Sequence, residues 1–218
     1  MSDSVDSSIL DRASREAAMW EGNRYFSDAE KWTPFFWDRE KVFLPLFEQL
    51  NVTHVLELAC GHGRHAPQLM QRCAGTVQTY VMMDVLPSNI EFCRNRHADM
   101  KVARFVLNAG AAYDGVADKS LTAIFCYDAM VHFHRDIVRE YLVDTKRVLV
   151  PGGRALFHHS NNSLDPDSPF DKNAHGRAYL SAALFRKYAE AAGLKVLEQR
   201  VIDWVQSKEL DCVSLVEA

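Results

Sequence analysis

The chain has 218 residues, 48% of them hydrophobic, and its 25 Lys and Arg against 29 Asp and Glu give a net charge of -4. This length suits one folded domain, and the acidic balance offers no broad attraction for a polyanion, so we expect no nucleic-acid partner. The cysteines are scattered without a C-x-x-C pair, the first residues lack the apolar core of a signal peptide, and no apolar run could span a bilayer. We therefore expect a cytoplasmic protein with no membrane partner.

The first 50 residues are predicted to form a helical segment that precedes the first strand. Apolar side chains recur on one helical face at Ile9, Ala13, Ala17 and Trp20. A dense aromatic stretch follows between residues 25 and 37. Large aromatic side chains mostly serve burial, which predicts packing against a sheet. The alternative is a lid over a ligand site. We therefore divide the chain into an N-terminal segment, residues 1–50, and a main region, residues 51–218, within one structural domain.

The main region is organised around a strand, a glycine turn and a helix. Residues 53–58 are apolar and partly β-branched, as in a strand buried on both faces of a parallel sheet. Gly61 and Gly63 follow, and apolar residues then recur at helical spacing over residues 66–73. In an open α/β sheet such a turn receives a nucleotide-like ligand at the carboxyl end of the first strand. Glycine there lets the backbone turn sharply and lets the ligand come close.

The residues around the turn favour one class of ligand. Gly61-x-Gly63-x-x-Ala66 satisfies the dinucleotide fingerprint, but Glu57 would repel a pyrophosphate and suits a cationic ligand with an amino-acid head group. The string Glu-x-Ala-Cys-Gly-x-Gly, residues 57–63, resembles motif I of the class I S-adenosylmethionine (SAM) methyltransferases. Two alternatives remain: an NAD-dependent oxidoreductase, and an α/β core that uses its glycines only for packing.

The following elements alternate between strand and helix. Strands are predicted at residues 77–84, 101–107, 121–127 and 154–159, with helices at 88–96 and 136–150. After a polar loop, a helix starting at Ser181 precedes an antiparallel pair at 194–204 and 211–216. The Leu-x-Pro-Gly-Gly element at residues 149–153 again resembles the same family. The predicted fold is therefore α/β, a doubly wound, mostly parallel seven-strand sheet of the Rossmann-like methyltransferase type, with an N-terminal helical segment.

This resemblance implies SAM as the cofactor. Asp84 ends the second strand 21 positions after Gly63 and is expected to hold the ribose hydroxyls, although it could instead cap the next helix. Asn108 is expected on the adenine side because its amide both donates and accepts. The full set of predicted cofactor-binding residues is Glu57, Ala59, Gly61, Gly63, Asp84, Val85, Asn108, Ala109, Asp128 and Met130.

Histidines are the candidate bases for methyl transfer to a hydroxyl group. His132 and His134 follow the fourth strand, and His158 and His159 end the fifth. Successive strand residues point to opposite faces, so His158 and His159 cannot both face one spot. We predict His132, then His159, as the catalytic base. A structural role is the alternative for each of them. These histidines with Asp128 could ligate a metal, but their spacing matches no zinc pattern, and we expect none.

The function predicted from the sequence is SAM-dependent methyl transfer to a small-molecule acceptor. The chain lacks the Asn-Pro-Pro-Tyr/Phe and Pro-Cys motifs of enzymes that methylate bases or glutamine. A hydroxyl oxygen on a glycan or secondary metabolite is the preferred acceptor. One alternative is an N-methyltransferase acting on a small amine, which needs no base, and another is a SAM-binding module without turnover. No pattern predicts an oligomeric state.

Overall fold

A seven-stranded sheet forms the centre of the computed structural model, which describes residues 5–168 and 170–218. The strands are β1 His54–Leu58, β2 Thr79–Asp84, β3 Ala103–Leu107, β4 Leu121–Cys126, β5 Leu149–Ser160, β6 Lys195–Trp204 and β7 Ser207–Glu217. The α-helices are α1 Ser7–Ala18, α2 Tyr25–Asp28, α3 Thr33–Phe36, α4 Phe43–Phe47, α5 Ala66–Cys73, α6 Pro87–Arg96, α7 Arg135–Val148 and α8 Ala182–Ala191. The predicted N-terminal segment starts at residue 1, and its first four residues lie outside the described ones.

The strand order is β3-β2-β1-β4-β5-β7-β6. The pairs from β3 through β5 are parallel, and β7 runs antiparallel to both β5 and β6. Leu56 and Val55 of β1 are fully buried on opposite faces, as the apolar run predicted. The doubly wound, mostly parallel seven-strand fold is thus confirmed. Its strand order reverses between β1 and β4, and in open α/β sheets a ligand binds at such a switch point.

Each face of the sheet carries its own apolar core. One core contains Leu56 of β1, residues of α7 and α8, and Ala13 of α1. The other contains Val55 of β1, residues of α5 and α6, and the aromatic side chains of α3 and α4. The N-terminal segment therefore begins on one face and ends on the other. The connecting residues 19–32 cross the sheet edge.

The fifth strand begins earlier than the sequence predicted. Helix α7 ends at Val148, and β5 starts at Leu149, so the Pro-Gly-Gly element lies inside the strand rather than before it. Leu149 pairs with Leu121, and the register shifts before Ala123. Proline is tolerated where pairing is irregular, because it has no N–H to donate to a regular ladder.

Candidate active site

A cleft lies at the carboxyl ends of β1, β2 and β4, and the empty space in and above it, including open solvent, is about 1040 Å³. The turn after β1 forms its floor, and the end of β2 and the start of the segment after β4 form its sides. The N-terminal segment supplies the remaining wall through Ala17, Trp20, Tyr25 and Phe26. Later members of the aromatic stretch lie in the apolar core, as predicted, and Tyr25 and Phe26 face the cleft, a position compatible with the predicted lid.

The two glycines of the turn have different neighbours. A Cβ on Gly61 would lie 3.0 Å from the Phe26 ring, on the cleft side. A Cβ on Gly63 would lie 2.6 Å from His97 Nε2 and 2.8 Å from Met82 Cε. Gly61 lines the cleft and Gly63 does not. The absence of a side chain at Gly63 thus serves internal packing, contrary to the expectation that both glycines admit the ligand.

Asp84 ties the end of β2 to the turn. Its Oδ2 accepts the Gly61 N–H at 2.8 Å, and its Oδ1 accepts the Leu86 N–H at 2.9 Å and the Asn89 amide at 3.2 Å. Burial raises the pKa of Asp84, and the backbone hydrogen bonds from Leu86 and Gly61 oppose that shift. A carboxylate has about four acceptor positions, so this one can accept a further ligand hydroxyl. The ribose contact is compatible with this geometry, whereas the helix-cap alternative is not, because Leu86 is the N-cap of α6 and Asp84 accepts from no backbone N–H within the helix.

The hydrogen bond from the Gly61 N–H to Asp84 indicates which cofactor the cleft fits. In a dinucleotide site the N–H groups of the glycine turn are aimed at a pyrophosphate. Here the Gly61 N–H donates to the carboxylate of Asp84, which lines the cleft and would repel a pyrophosphate. A carboxylate at the end of β2 suits a cofactor ribose, and the Gly61 N–H that donates to it is not aimed at a pyrophosphate. The residues present therefore fit SAM better than NAD.

Asn108 uses both protons of its amide inside the protein. Nδ2 donates to the Ala112 carbonyl at 2.9 Å and to the Tyr141 hydroxyl at 2.7 Å. Asn108 lines the cleft, so its carbonyl oxygen is the group that can accept from an adenine amino group. Its neighbour Ala109 is exposed, donates its N–H to Asp114 at 2.7 Å and does not line the cleft.

The remaining predicted cofactor residues divide into two groups. Ala59, Val85 and Asp128 line the cleft, and Glu57 and Met130 do not. Glu57 lies 2% exposed beneath the turn and accepts a hydrogen bond from the Tyr80 hydroxyl. Burial raises its pKa to about 8, which favours the neutral acid and weakens the argument from its charge. Met130 is fully buried in the core, so the wall beside the cofactor site is made by Ala129 instead.

An ion pair that the sequence did not predict lies at the centre of the cleft. Arg64 donates to Asp128 Oδ2 at 2.8 Å and to the Ala29 carbonyl at 2.9 Å. The hydroxyl of Tyr25 also donates to Asp128. Asp128 and Ala59 both have left-handed backbone, with φ of 60° and 56°, at the ends of β4 and β1. Such strain in residues other than glycine concentrates at functional sites. The position of Arg64 inside the glycine turn was the only signal in the sequence.

Of the candidate histidines, only His132 lines the cleft. Its Nδ1 lies 2.6 Å from the Gly176 carbonyl, and the ring packs 4.8 Å from Trp20 between centroids. A carbonyl oxygen only accepts, so Nδ1 carries the proton and Nε2 is the basic nitrogen. Burial lowers the pKa of His132 to about 4, so the imidazole is neutral at neutral pH.

His159 is not placed to act as a base, which corrects the prediction. It is fully buried, its Nδ1 donates to the Ser160 carbonyl at 2.8 Å, and its Nε2 accepts from the Ser214 hydroxyl at 2.7 Å. Its ring stacks 4.0 Å from Phe185, on the side of the sheet that carries α8. His158 points to the opposite face and hydrogen-bonds Asp211, as the alternation of strand residues requires. His134 is the N-cap of α7.

Within residues 5–168 and 170–218, no group of at least three His, Cys, Asp or Glu side chains is arranged to hold a metal ion. No helix in these same parts of the chain is long and apolar enough to cross a membrane.

Comparison with known proteins shows similarity to methyltransferases in part of the sequence and in the fold. A family model described as a methyltransferase domain matches residues 55–153. The fold is similar to that of a putative methyltransferase solved in complex with the Trm112 activator of Haloferax volcanii. That likeness has a TM-score of 0.65 and 16% identity, and it covers 92% of this chain and 96% of the other. A SAM-dependent methyltransferase from Aquifex aeolicus is similar with a TM-score of 0.59 and 16% identity, over 94% and 97% of the two chains. The fold is therefore that of SAM-dependent methyltransferases, residues 55–153 match a methyltransferase domain, and SAM is the expected cofactor.

Two curated relatives match about half of the chain. The fatty-acid O-methyltransferase of Mycolicibacterium smegmatis is 34% identical over 104 residues, which are 47% of this chain and 35% of that protein. The probable phthiotriol/phenolphthiotriol dimycocerosates methyltransferase 2 of Mycobacterium ulcerans is 36% identical over 105 residues, 48% of this chain and 38% of the relative. The matches thus span little more than a third of the length of either relative.

Proposed function

We propose that this chain transfers the methyl group of SAM to a hydroxyl oxygen of an apolar small molecule. The observation that carries the proposal is the position of His132. It lines the same cleft as Gly61 and Asp84, and its Nδ1–H is held by the Gly176 carbonyl. Nε2 is then the nitrogen that takes a proton. At neutral pH the imidazole has one unprotonated ring nitrogen, and because its pKa of about 4 makes it a weak base, its contribution depends on its position in the cleft.

Each part of the cleft has a distinct task in this reaction. When bound, SAM would supply a methyl group on a positively charged sulfur, and its transfer to an oxygen would break the sulfur–methyl bond and leave a neutral thioether. Asp84 accepts from the cofactor ribose, and Asn108 accepts from the adenine amino group. His132 takes the proton of the acceptor hydroxyl as that oxygen bonds to the methyl carbon. Trp20 and Phe26 cover the cleft and exclude water, which strengthens electrostatic interactions inside it.

The lining of the cleft supports an apolar acceptor. Near His132 the walls are formed by Trp20, Phe133 and Ile137. Arg64 and Asp128 form an ion pair with each other at 2.8 Å, so their charges do not require a charged group on the acceptor. The name of one relative, a fatty-acid O-methyltransferase, also supports an oxygen acceptor on an apolar molecule. We therefore favour an apolar acceptor over the glycan considered from the sequence.

Calorimetry with SAM and with NAD tests the cofactor. We expect SAM to bind to the wild type and NAD not to bind. Asp84→Ala should weaken SAM binding by about tenfold or more, because a hydrogen bond to a charged group contributes about 1.5–3 kcal/mol. Binding of NAD with no binding of SAM would overturn the proposal.

Three acceptors with one apolar chain and different head groups test the chemistry. Decanol, decanoic acid and decylamine are each incubated with SAM labelled in its methyl group. We expect transfer to the alcohol, and His132→Ala should slow it by about a hundredfold or more while leaving SAM affinity unchanged. Transfer to the amine that is insensitive to His132→Ala would show a nitrogen acceptor instead. Tight SAM binding with no transfer across a wider panel of alcohols, acids and amines would favour a binding module.

A further inference from the structure

A tight turn between β5 and α8 controls the environment of His132. His175 and Gly176 both have left-handed backbone, with φ of 51° and 66°. The carbonyl of Gly176 accepts the Nδ1–H of His132 at 2.6 Å. Two residues after Gly176, Ala178 donates its N–H to the Val131 carbonyl at 2.9 Å. Val131 directly precedes His132 in the chain. The turn is therefore attached at two points to the segment that carries the candidate base.

Arg177 holds this turn in place. Its Nη1 donates to the His175 carbonyl at 3.0 Å, and its own carbonyl accepts from the Asn173 side chain at 2.8 Å. Its Nε and Nη2 donate to the two carboxylate oxygens of Asp211 at 2.9 and 2.6 Å. The residue is only 3% exposed, and its guanidinium lies 4.6 Å from the centre of the Trp204 ring. Three donors aimed in fixed directions are a task for the planar guanidinium rather than for an ammonium group.

Asp211 joins this turn to the end of β4. Besides Arg177, its Oδ2 accepts the Nε2–H of His158 at 3.0 Å. The Nδ1 of His158 accepts the backbone N–H of Asp128 at 3.1 Å, so His158 is a neutral imidazole with its proton on Nε2. One buried carboxylate thus fixes both the turn that contacts His132 and the cleft residue Asp128. Burial would raise the pKa of Asp211, but the bonds from His158 and Arg177 lower it to about 2, so the carboxylate stays ionised.

We propose that Arg177, anchored by Asp211, is a positioning residue that fixes the tautomer of His132 through the Gly176 carbonyl. With the carbonyl held against Nδ1, the imidazole keeps its proton there and presents Nε2 as the base. If the turn relaxes, Nδ1 loses this acceptor and the proton can move to Nε2, which then cannot accept a proton from a hydroxyl group. The catalytic consequence rests on the proposed function, whereas the tautomer of His132 does not.

Nitrogen NMR on protein labelled with ¹⁵N-histidine reads the tautomer directly. Long-range proton–nitrogen spectra distinguish protonated from unprotonated ring nitrogens, and the signals of His132 are those that disappear in His132→Ala. In the wild type at neutral pH we expect a single pattern with Nδ1 protonated. In Arg177→Lys and in Asp211→Asn we expect that pattern to be lost, with the Nε2-protonated form appearing. The matched control is Arg154→Lys, because Arg154 also pairs with a carboxylate of β7, that of Glu217, at 2.9 Å. This variant should leave the pattern of His132 unchanged.

Several outcomes would overturn the proposal. One is a wild-type spectrum with Nε2 protonated, which needs no variant at all. Another is a single Nδ1-protonated pattern retained in folded Arg177→Lys or Asp211→Asn. If circular dichroism shows that both variants fail to fold, Arg177→Gln retains a planar donor but loses the two-point pairing with Asp211, and a single Nδ1-protonated pattern retained there counts against the proposal.

Kinetics separate this proposal from the proposed function. If decanol is a substrate, Arg177→Lys should lower kcat by about tenfold or more with little change in KM or in SAM affinity. If no alcohol is methylated, the proposed function fails, and the spectra still decide whether Arg177 sets the tautomer.

Discussion

At the scale of single residues, two glycines that the motif treats alike have different tasks. Gly61 lies under Phe26 at the cleft, and Gly63 lies against His97 and Met82 inside the protein. A G-x-G pattern predicts a sharp turn because both positions need a positive φ, and both have one. The pattern carries no information about what lies beyond each missing Cβ, because those neighbours come from distant parts of the chain.

Alanine at each glycine should therefore have a different main effect. Gly61→Ala pushes against the Phe26 ring, and we expect SAM affinity to fall by about tenfold. Gly63→Ala places a Cβ within 2.6 Å of His97 Nε2, and we expect the free energy of unfolding to fall by about 1–3 kcal/mol. Calorimetry and thermal melting of both variants measure the two effects. If both variants lost the same SAM affinity and had the same free energy of unfolding, the two glycines would not have these separate tasks.

His132 should make turnover resistant to mild acid. A base must be unprotonated, and burial lowers the pKa of His132 from 6.5 to about 4. As the pH falls through 6.5 the imidazole stays neutral, so methylation of an alcohol should persist and should decline only as the pH approaches about 4. The measurement is the pH dependence of kcat. A midpoint near 6.5 would show that another group titrates, or that His132 is not the base.

His159 should affect stability in acid rather than catalysis. Burial lowers its pKa from 6.5 to about 3, so between these values the unfolded chain binds a proton that the folded chain does not. Its contribution to stability is complete above pH 6.5 and falls by about 1.4 kcal/mol per pH unit below it. His159→Gln should therefore flatten the loss of stability in acid, as measured by urea unfolding at several pH values. An unchanged slope would be inconsistent with a neutral buried imidazole.

At the scale of elements, the N-terminal segment is the part that the sequence described least well. Its helical character was predicted, but α2, α3 and α4 have only four or five residues each, too few for periodicity to detect. Aromatic side chains indicate burial without indicating which face of the sheet buries them. The crossing of residues 19–32 over the cleft follows from packing on both faces, which no local pattern encodes. We propose that this crossing is a lid over the cofactor.

The lid is attached to the cofactor turn by stacked rings and an ion pair. Phe26 packs 5.1 Å from the ring of His62, whose other neighbour is Phe92 at 3.9 Å. Glu30 pairs with Arg96 at 2.5 Å, and Arg96 also donates to the His62 carbonyl at 2.9 Å. These contacts join residues 26–30 to the glycine turn and to α6.

Loosening this attachment should speed the release of SAM. We expect Glu30→Gln to raise the SAM dissociation rate by about two- to fivefold, because a partly exposed ion pair contributes up to about 1 kcal/mol. Stopped-flow displacement of SAM measures the rate. Glu48→Gln is the control, since it removes an exposed ion pair with Arg39 elsewhere in the N-terminal segment. Equal rates in both variants would show that the Glu30 contact does not restrain the lid.

At the scale of the whole molecule, the fold was predictable and the site only partly so. Alternating buried strands and amphipathic helices determine a parallel sheet with its ligand at the switch point, and Asp84, Asn108 and His132 lie there. The prediction of His159 as a base was wrong because two adjacent histidines look equivalent in the sequence. Only packing decides which of them faces which side of the sheet. Arg64 and Tyr25 were missed because their common partner, Asp128, is far away in the chain.

Hydrogen exchange tests whether the N-terminal segment and the main region act together. Because residues 13–29 form one wall of the cleft, SAM should slow amide exchange there as well as in the turn at residues 59–64. The start of β5 at residues 150–154 lies at the end of that strand opposite the cleft and serves as an internal control. Protection confined to the turn would mean that the segment is not a lid.

The place of β7 in the sheet has a consequence for synthesis on the ribosome. This strand lies between β5 and β6 although it is translated after both. The half of the sheet that carries the glycine turn, Asp84 and Asn108 can assemble from earlier residues, whereas the turn beside His132 needs Asp211 of β7 to hold Arg177. A nascent chain can therefore form the proposed cofactor site before His132, the proposed base, is ordered. Translation that stops before residue 207 would leave β5 with an unpaired edge, the feature by which partly made sheets aggregate.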